Sequence, residues 1–345
     1  MKTLKDFNFK NKRVLVRCDF NVPLSENGEI LDDFKIKATI PTIEYLIKSG
    51  AKVILMSHLG RPEGKVVEEL RLDPIAERLS KLLSRRVVKL DDCVGKEAKG
   101  AIEKMRPGDV ILLENIQFNP GEITKDLNFA KTLASYADIF VLEAFGQAHR
   151  DYASITGIPN YLPSTPGFLL EKEIKILTDL TKNPQRPLIS IIGGKKVETK
   201  TKLIDAVSEI SDWVLISGLI EKDLKEKNIK LKYPSKIISP VDSVNTFDIG
   251  PETIKIFQEK IIQAKTIFWN GPFGKIEEEK YRKGTKAIVE TIIKSGAFSV
   301  AGGGETVEFI NQMGLIDKFS HISTGGGAML DFIADGKLVG IEVLK

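Results

Sequence analysis

The chain has 345 residues, of which 42% are apolar and 28% charged, and this composition excludes a disordered, collagen-like or membrane-spanning protein. The 51 basic and 47 acidic residues give a formal net charge of +4, which is too mild for a non-specific nucleic-acid binder. Two cysteines and three histidines, with no CxxC spacing, argue against a disulfide scaffold or a structural zinc site.

Residues 1–6 are charged where a secretory leader would begin its apolar stretch, so we expect a cytoplasmic protein with no membrane partner. Short apolar runs then recur along the first half of the chain without alternation, as is typical of strands buried on both faces. They predict strands over residues 13–17, 52–56, 87–90, 109–113 and 138–142, with amphipathic helices between them, as at 72–83 and 127–134.

A second set of similar runs predicts a second domain. Its strands are expected over residues 187–192, 213–217, 236–239, 266–269 and 298–301, with a helix over 283–293. The two sets divide near residues 163–167, and residues 171–182 then form a charged amphipathic segment between prolines, which is typical of a stiff interdomain helix. The alternation predicts an α/β fold of two doubly wound, Rossmann-like parallel sheets, with domains at 1–168 and 185–328 joined by a helix hinge at 169–184.

Polar residues follow several strands of the first domain. Because ligands of open parallel sheets bind beyond the carboxyl ends of the strands, these residues are the candidate site of that domain. They are Asp19 and Asn21, His58 and Arg61, Asn115 and Gln117, and His149 and Arg150, with Lys35 and Lys37 near them in sequence. Arginine and histidine on rigid loops suit a small phosphorylated or carboxylated substrate.

The second domain contains three glycine turns between a strand and a helix, at residues 193–194, 302–304 and 325–327. Glycine lets a phosphate approach the backbone, and a helix N-terminus offers free N–H groups, so the three turns predict a polyphosphate site. Neither GxxxxGK[ST] nor GxGxxG occurs, which excludes a Walker A loop and the usual dinucleotide fingerprint. A basic domain joined to a polyphosphate domain by a stiff helix favours phosphoryl transfer with hinge closure.

The chain also contains seven motifs that resemble those of phosphoglycerate kinases. They are VLVRCDFNVPL (14–24), SHLGRP (57–62), LLEN (112–115), AFGQAHR (144–150), GGKKVETK (193–200), WNGPFG (269–274) and HISTGGGA (321–328). The resemblance implies an N-terminal domain for 3-phosphoglycerate or 1,3-bisphosphoglycerate and a C-terminal domain for Mg-ADP or Mg-ATP. It implies transfer without a covalent protein intermediate, a monomer with no nucleic-acid partner, and a segment over 329–345 that returns to the first domain.

The resemblance further implies the role of individual residues. Substrate would be bound by Asp19, Phe20, Asn21, Lys35, His58, Leu59, Gly60, Arg61, Gln117 and Arg150. The phosphoryl group, during its transfer, would be contacted by the catalytic residues Lys35, Lys196, Gly325 and Gly326. The nucleotide would be held by Lys200, Asn270, Glu277, Gly302, Gly303, Gly304, Glu305 and Thr306, with Glu305 as the ligand of Mg2+.

Several positions depart from the pattern of that family. Lys35 stands in place of an arginine and keeps its charge but loses the planar fork of five donors, whereas Gln117 stands in place of a second arginine and removes the charge. Glu305 stands in place of the metal-holding aspartate and carries its carboxylate one methylene further out, and Thr199 stands where an aspartate is usual. Some tens of family residues are missing within 221–248, so we expect a shallower nucleotide pocket.

These departures leave two functions open, an active phosphoglycerate kinase and a related binding or regulatory protein with weakened turnover. The three glycine turns, both nucleotide lysines and three basic substrate residues are kept, which favours the active enzyme. The missing GxGxxG and the ordered motifs disfavour a nicotinamide-dependent dehydrogenase.

Overall fold

The computed structural model describes residues 1–194 and 198–344, and for residues 198–200 it describes the backbone alone. Contacts between Cα atoms divide the chain into two compact units. The first comprises Met1–Ile174 together with the segment from Lys337 onward, and the second comprises Lys175–Gly336. Within the described part of the chain, every helix is too short or too polar to cross a bilayer.

The first unit contains a six-stranded sheet. Its strands are β1 (Arg13–Cys18), β2 (Lys52–Met56), β3 (Val87–Lys89), β4 (Val110–Leu112), β5 (Ile139–Glu143) and β6 (Ser164–Pro166). They lie in the order β3-β4-β2-β1-β5-β6, and all neighbours are parallel. The chain leaves β1 toward β2 and leaves β5 toward β6, so the carboxyl ends of β1 and β5 flank the crevice in which open sheets bind ligands.

Four helices of the first unit connect these strands. They are α1 (Phe34–Lys48), α2 (Asp73–Leu82), α3 (Lys96–Glu103) and α4 (Leu127–Ala134). The core between helices and sheet is apolar, with Val16 and Leu55 fully buried. The start of α4 is fixed by Asp126, whose Oδ1 accepts hydrogen bonds from Asn128 N at 2.7 Å and Phe129 N at 3.1 Å.

The helix α5 (Phe168–Lys182) crosses the boundary between the two units and begins earlier than the predicted residue 171. Phe168 N donates to Thr42 Oγ1 at 2.9 Å. Leu169 N donates to Glu143 Oε1 at 3.1 Å, and the Thr42 hydroxyl donates to the same carboxylate. The sequence does not predict this start because the capping groups come from α1 and β5, far away along the chain.

The second unit contains another six-stranded sheet and a short antiparallel pair. Its strands are β7 (Leu188–Ile192), β8 (Trp213–Ile216), β9 (Ile237–Ile238), β10 (Ser243–Val244), β11 (Asp248–Ile249), β12 (Thr266–Asn270), β13 (Phe298–Gly302) and β14 (His321–Ile322). The large sheet has the order β14-β13-β12-β7-β8-β9 with parallel neighbours, and β10 pairs with β11 outside it. The chain leaves β7 and β12 in opposite directions, so their carboxyl ends flank the second crevice.

The helices of the second unit are α6 (Glu198–Ile210), α7 (Gly218–Glu226), α8 (Pro251–Ile261), α9 (Lys283–Ser295), α10 (Gly304–Gln312) and α11 (Gly326–Asp335). Gly336, with φ +70°, ends α11, and the chain rejoins the first unit in α12 (Val339–Glu342). There Gly340 N donates to Ala148 O at 2.8 Å. This return begins at Lys337, later than the predicted 329, because α11 packs against α6 inside the second unit.

The predicted fold class is confirmed, since both large sheets are parallel and helices lie between their strands. Each strand predicted from an apolar run overlaps an observed strand. The sequence does not predict β6, β14 or the β10–β11 pair, because these strands of two or three residues do not lie in an apolar run, whereas the equally short β3, β4 and β9 each lie within a longer predicted run.

Candidate active site

At the carboxyl end of β1 lies a buried ion pair. Asp19 is 4% exposed, and Nζ of Lys35, in the first turn of α1, lies 3.0 Å from Asp19 Oδ2. Burial acts to raise the pKa of Asp19, but the nearby positive charge of Lys35 and smaller neighbouring contributions outweigh it and hold the pKa below its ordinary value. Two residues predicted to bind substrate are therefore brought together as a charged pair.

The loops after β1 and β2 are joined by hydrogen bonds. Asn21 Oδ1 accepts from Gly60 N at 2.9 Å, and Ser57 Oγ accepts from Phe20 N at 2.8 Å. Gly60 has φ +64°, and a Cβ there would lie 2.6 Å from Leu70 Cδ2, so glycine is required at this turn. The predicted substrate residues of these two loops thus form one connected structure.

His58 lies in the second loop and is 3% exposed. Burial lowers the pKa of His58 to about 3 against the attraction of Asp19, so the imidazole is neutral at pH 7. Its Nδ1 has no hydrogen-bond partner among the residues that the structure describes. His58 therefore gives the predicted basic patch a neutral, buried imidazole whose Nδ1 makes no hydrogen bond within the described residues.

The remaining first-unit candidates differ in exposure. Arg61 and Arg150 are exposed, in the segments that follow β2 and β5. Gln117 is buried, and its backbone N donates to Asn115 Oδ1 at 3.1 Å. Asn115 Nδ2 in turn donates to Leu59 O at 2.8 Å, which joins the segment after β4 to the segment after β2.

Three fully buried residues near this site were not predicted: Arg17, Glu122 and Ser154. Arg17 Nε donates to Ser154 Oγ at 2.8 Å, and the Ser154 hydroxyl donates to Glu122 Oε1 at 2.6 Å. Arg17 Nη1 also donates to the carbonyl of Cys18. The only sequence signal for this group is a charged residue inside the apolar run VLVRC, and spacing does not identify its partners.

In the second unit, the turn after β12 lies against the glycine turn after β13. Asn270 Nδ2 donates to Gly302 O at 2.8 Å, and Gly271 N donates to Thr306 Oγ1 at 2.8 Å. Gly303 has φ +102°, and a Cβ there would lie 2.7 Å from Asn270 Nδ2. The WNGPFG motif and residues 302–306 therefore form one compact turn pair.

The other two glycine turns adjoin the same place. A Cβ on Gly326 would lie 3.1 Å from Gly303 Cα, and Gly193 N donates to Asn270 O at 2.9 Å. The N-cap residues of α10 and α11 are Gly303 and Gly325, which supply no side-chain cap. Uncapped N–H groups beside glycine backbone are typical of a phosphate-binding surface.

Glu305 and Glu277 are both exposed, Glu305 in the first turn of α10 and Glu277 after β12. Within residues 1–194 and 198–344, no group of three or more His, Cys, Asp or Glu side chains could hold a metal. Magnesium usually takes one or two carboxylates and completes its shell with substrate phosphates and water, so a single carboxylate beside phosphate-binding turns fits an ion that arrives with a nucleotide.

The two predicted lysines of the GGKKVETK motif are not described by the structure. Lys196 lies outside the described residues, and of Lys200 only the backbone is described, in the first turn of α6. Their roles stay predictions.

A cavity of about 260 Å³ lies beside the β10–β11 pair. Its apolar lining includes Leu219, Val241 and Phe273, and Lys222 lies at its wall. Phe273 belongs to the WNGPFG motif, so one lining residue of the cavity lies in the turn after β12. Apart from the missing family segment, nothing in the sequence pointed to this cavity.

A family model described as phosphoglycerate kinase matches residues 4–232 and 221–337. The phosphoglycerate kinase of Prochlorococcus marinus (strain MIT 9312) is 43% identical over 395 residues, covering 100% of this chain and 98% of the relative. That of Moorella thermoacetica (strain ATCC 39073 / JCM 9320) is 42% identical over 387 residues, covering 99% and 98%. An alignment of 395 positions for 345 residues leaves 395 − 345 = 50 positions without a residue of this chain.

Solved structures agree with the sequence comparison. The crystal structure of phosphoglycerate kinase from Pyrococcus horikoshii OT3 superposes with a TM-score of 0.89 at 33% identity, covering 100% of this chain and 98% of that one. The structure of phosphoglycerate kinase from Coxiella burnetii superposes with a TM-score of 0.83 at 33% identity, covering 99% and 98%. Similarity of this extent, over the whole chain and in both sequence and fold, leads to one conclusion: the chain belongs to the phosphoglycerate kinase family.

Proposed function

We propose that this chain catalyses reversible phosphoryl transfer between 1,3-bisphosphoglycerate and ADP, giving 3-phosphoglycerate and ATP, a step of glycolysis and gluconeogenesis. The observation that carries the proposal is the presence of two complementary sites on two parallel sheets. One combines a buried carboxylate with basic residues, and the other combines three glycine turns with uncapped helix N-termini. Transfer between two bound anions needs positioning and charge neutralisation, so no protein nucleophile takes part.

The first unit binds the phosphoglycerate. Asp19 and Asn21 contact its hydroxyl and carboxylate, and Arg61 and Arg150 neutralise its phosphate and carboxylate. His58 is neutral at pH 7 and contributes a hydrogen bond through a nitrogen that has no partner within the described residues. The burial of Asp19 and His58 supports this assignment, because water-excluded groups bind a charged ligand more specifically than exposed ones.

The second unit binds the nucleotide. Its phosphates lie on the open N–H groups at the starts of α10 and α11 and on Lys200, and Lys196 follows the transferring group. The nucleoside occupies the cavity lined by Leu219, Val241 and Phe273, which suits an apolar base. Asn270 ends β12, and Glu277 lies in the segment that follows this strand.

Glu305 would hold the magnesium ion that accompanies the nucleotide. When bound, the ion neutralises negative charge on the phosphate oxygens. Lys35 in the first unit and the N–H groups of Gly325 and Gly326 in the second are the proposed contacts of the group being transferred. The protein acts as a monomer in the cytoplasm on small-molecule substrates, and its mild net charge supports the absence of a nucleic-acid partner.

A second function is favoured by two positions of the first-unit site. Lys35 is engaged by Asp19, and Gln117 is buried without bringing a charge. Both stand where the family resemblance implies an arginine. The positive electrostatic potential at the substrate phosphate is therefore weaker than two arginines would make it. The alternative is a phosphoglycerate-kinase-like protein that binds the same anions but transfers the phosphoryl group inefficiently.

Turnover of 3-phosphoglycerate with Mg-ATP tests the proposal, with 1,3-bisphosphoglycerate coupled to NADH oxidation. We expect saturable activity that Arg61→Ala and Lys200→Ala each abolish. Lys202→Ala is the matched control, because Lys202 lies on the same helix α6 and pairs with Asp335 at 2.6 Å. A flat trace from folded protein contradicts the kinase, and calorimetric binding of 3-phosphoglycerate by that sample then supports the alternative.

A further inference from the structure

The group formed by Arg17, Glu122 and Ser154 lies wholly inside the first unit, with all three residues 0% exposed. Burying two charges is unfavourable unless each is well paired, and apolar residues of similar volume often serve stability as well or better. Such a group among side chains that are mostly apolar therefore calls for an explanation other than stability.

The group joins three separate chain segments. Glu122 Oε2 accepts from Ser154 N at 2.9 Å, Glu122 O accepts from Ala153 N at 3.0 Å, and the Ser154 hydroxyl donates to Glu122 Oε1 at 2.6 Å. Arg17 Nε donates to Ser154 Oγ at 2.8 Å, which adds strand β1 to the pair.

Each of these segments carries a predicted substrate residue close to the buried group. Asp19 follows Arg17 in the β1 loop, Gln117 precedes Glu122 in the segment after β4, and Arg150 precedes Ser154 in the segment after β5. Glu122 hydrogen-bonds the segment after β5 through both its carboxylate and its carbonyl, and β1 joins the group through the bond from Arg17 to Ser154.

The group is also incompletely satisfied. Arg17 Nη2 lies 3.8 Å from Glu122 Oε1, beyond hydrogen-bond distance, and has no hydrogen-bond partner among the described residues. A network selected for stability alone would satisfy every donor, because an unpaired buried donor is costly. The charge of Arg17 also acts on both Asp19 and His58, holding down the pKa of each, which links the buried group electrostatically to the site.

We infer that Glu122 is a positioning residue for phosphoglycerate binding: through Ser154 and Arg17 it holds the segments that carry Asp19, Gln117 and Arg150 in one arrangement. This inference rests on the proposed function of the first unit. It assigns to Glu122 no contact with substrate. It requires that loss of Glu122 weaken the binding of phosphoglycerate and leave the binding of nucleotide unchanged.

The experiment measures KM for 3-phosphoglycerate and for Mg-ATP, together with the urea unfolding midpoint, in Glu122→Gln and Ser154→Ala. We expect KM for 3-phosphoglycerate to rise about tenfold in Glu122→Gln, the effect of weakening one charge-assisted contact, while KM for Mg-ATP stays unchanged. Ser154→Ala removes one hydroxyl and little volume, so it gives a folded protein for the same comparison if Glu122→Gln does not fold.

Asp138→Asn is the matched control. Asp138 pairs with Arg13 at 2.8 Å at the amino end of β1, so this variant breaks an ion pair on the same strand away from the site. A lower unfolding midpoint with an unchanged KM for 3-phosphoglycerate in Glu122→Gln and Ser154→Ala, as expected for Asp138→Asn, overturns the inference. A folded wild type that neither binds nor phosphorylates 3-phosphoglycerate overturns the proposed function, and the inference with it.

Discussion

Lys35 shows how a single substitution limits a charged site. Its Nζ lies 3.0 Å from Asp19 Oδ2, and its side chain is 30% exposed. An ammonium is a compact donor, whereas a guanidinium presents a fork that can serve a carboxylate and a second anion at once. The charge at residue 35 is therefore largely committed to Asp19 before any substrate arrives.

Restoring arginine at this position and at Gln117 should strengthen phosphoglycerate binding. We expect Lys35→Arg with Gln117→Arg to lower KM for 3-phosphoglycerate, about tenfold for each charge-assisted hydrogen bond regained. Because Gln117 is 6% exposed, we also expect a lower urea midpoint from the buried guanidinium. Steady-state kinetics and urea unfolding of the purified variant measure the two effects.

Lys37→Arg provides the control for the lysine-to-arginine change itself. Its side chain is 57% exposed and pairs with Asp33, the N-cap residue of α1, so KM should not change. If the double variant also leaves KM unchanged, residues 35 and 117 do not face the substrate, and the binding-protein alternative gains support.

At the scale of elements, the start of α5 depends on one buried carboxylate. Glu143 is 0% exposed and accepts hydrogen bonds from Thr42 and Leu169. Burial outweighs these bonds and raises the pKa of Glu143 from 4.5 to about 7. Since the folded protein holds this proton more tightly than the unfolded chain, the free energy of unfolding falls as pH rises from 4.5 to 7.

Glu143→Gln should remove this dependence while keeping the size of the side chain. Between pH 4.5 and 7 the wild type should lose up to about 1.4 kcal/mol per pH unit relative to the variant, about 3 kcal/mol in all. Urea unfolding at pH 5 and pH 8 measures the difference. Parallel curves for the two proteins would show that Glu143 keeps an ordinary pKa in the folded state.

The glycine turn that begins α10 is the second element on which function depends. Gly303 has φ +102°, and a Cβ would lie 2.7 Å from Asn270 Nδ2. We expect Gly303→Ala to cost about 1–3 kcal/mol of stability and to raise KM for Mg-ATP, because the turn must move away from Asn270.

Gly314→Ala separates the two contributions to that effect. Gly314 also has positive φ, +69°, but nothing lies within 4 Å of its Cβ position, so this variant carries backbone strain without a collision. It should lose stability and keep the wild-type KM for Mg-ATP. A normal KM in Gly303→Ala would argue against phosphates binding at this turn.

At the scale of the whole molecule, each substrate should stabilise the protein through its own unit. A ligand at 100 times its Kd adds about 2.7 kcal/mol to the free energy of unfolding, which raises Tm. We expect Arg61→Ala to abolish the shift caused by 3-phosphoglycerate and keep that of Mg-ATP, and Lys200→Ala to do the reverse. Thermal melts with each ligand measure this, and loss of both shifts in one variant would contradict separate sites.

The sequence predicts well what depends on local pattern. The strands β2 and β12 are predicted from their continuous apolar residues, and the turn at residues 302–304 is predicted from its three glycines. What depends on distant partners is not predictable in this way: the cap of α5 comes from Thr42 and Glu143, and the neutrality of His58 comes from burial. The two-residue strand β14 is defined only by its pairing with β13.

A ribosome completes the second unit before the first. The second unit is one unbroken stretch, Lys175–Gly336, whereas the first also needs Leu338, Ile341 and Leu344, each at most 5% exposed. Throughout synthesis of the second unit, the nascent chain therefore carries a first unit whose apolar surface for Leu338, Ile341 and Leu344 is uncovered. A pause in translation ahead of Lys337 would keep that apolar surface exposed, where it can bind chaperones or aggregate.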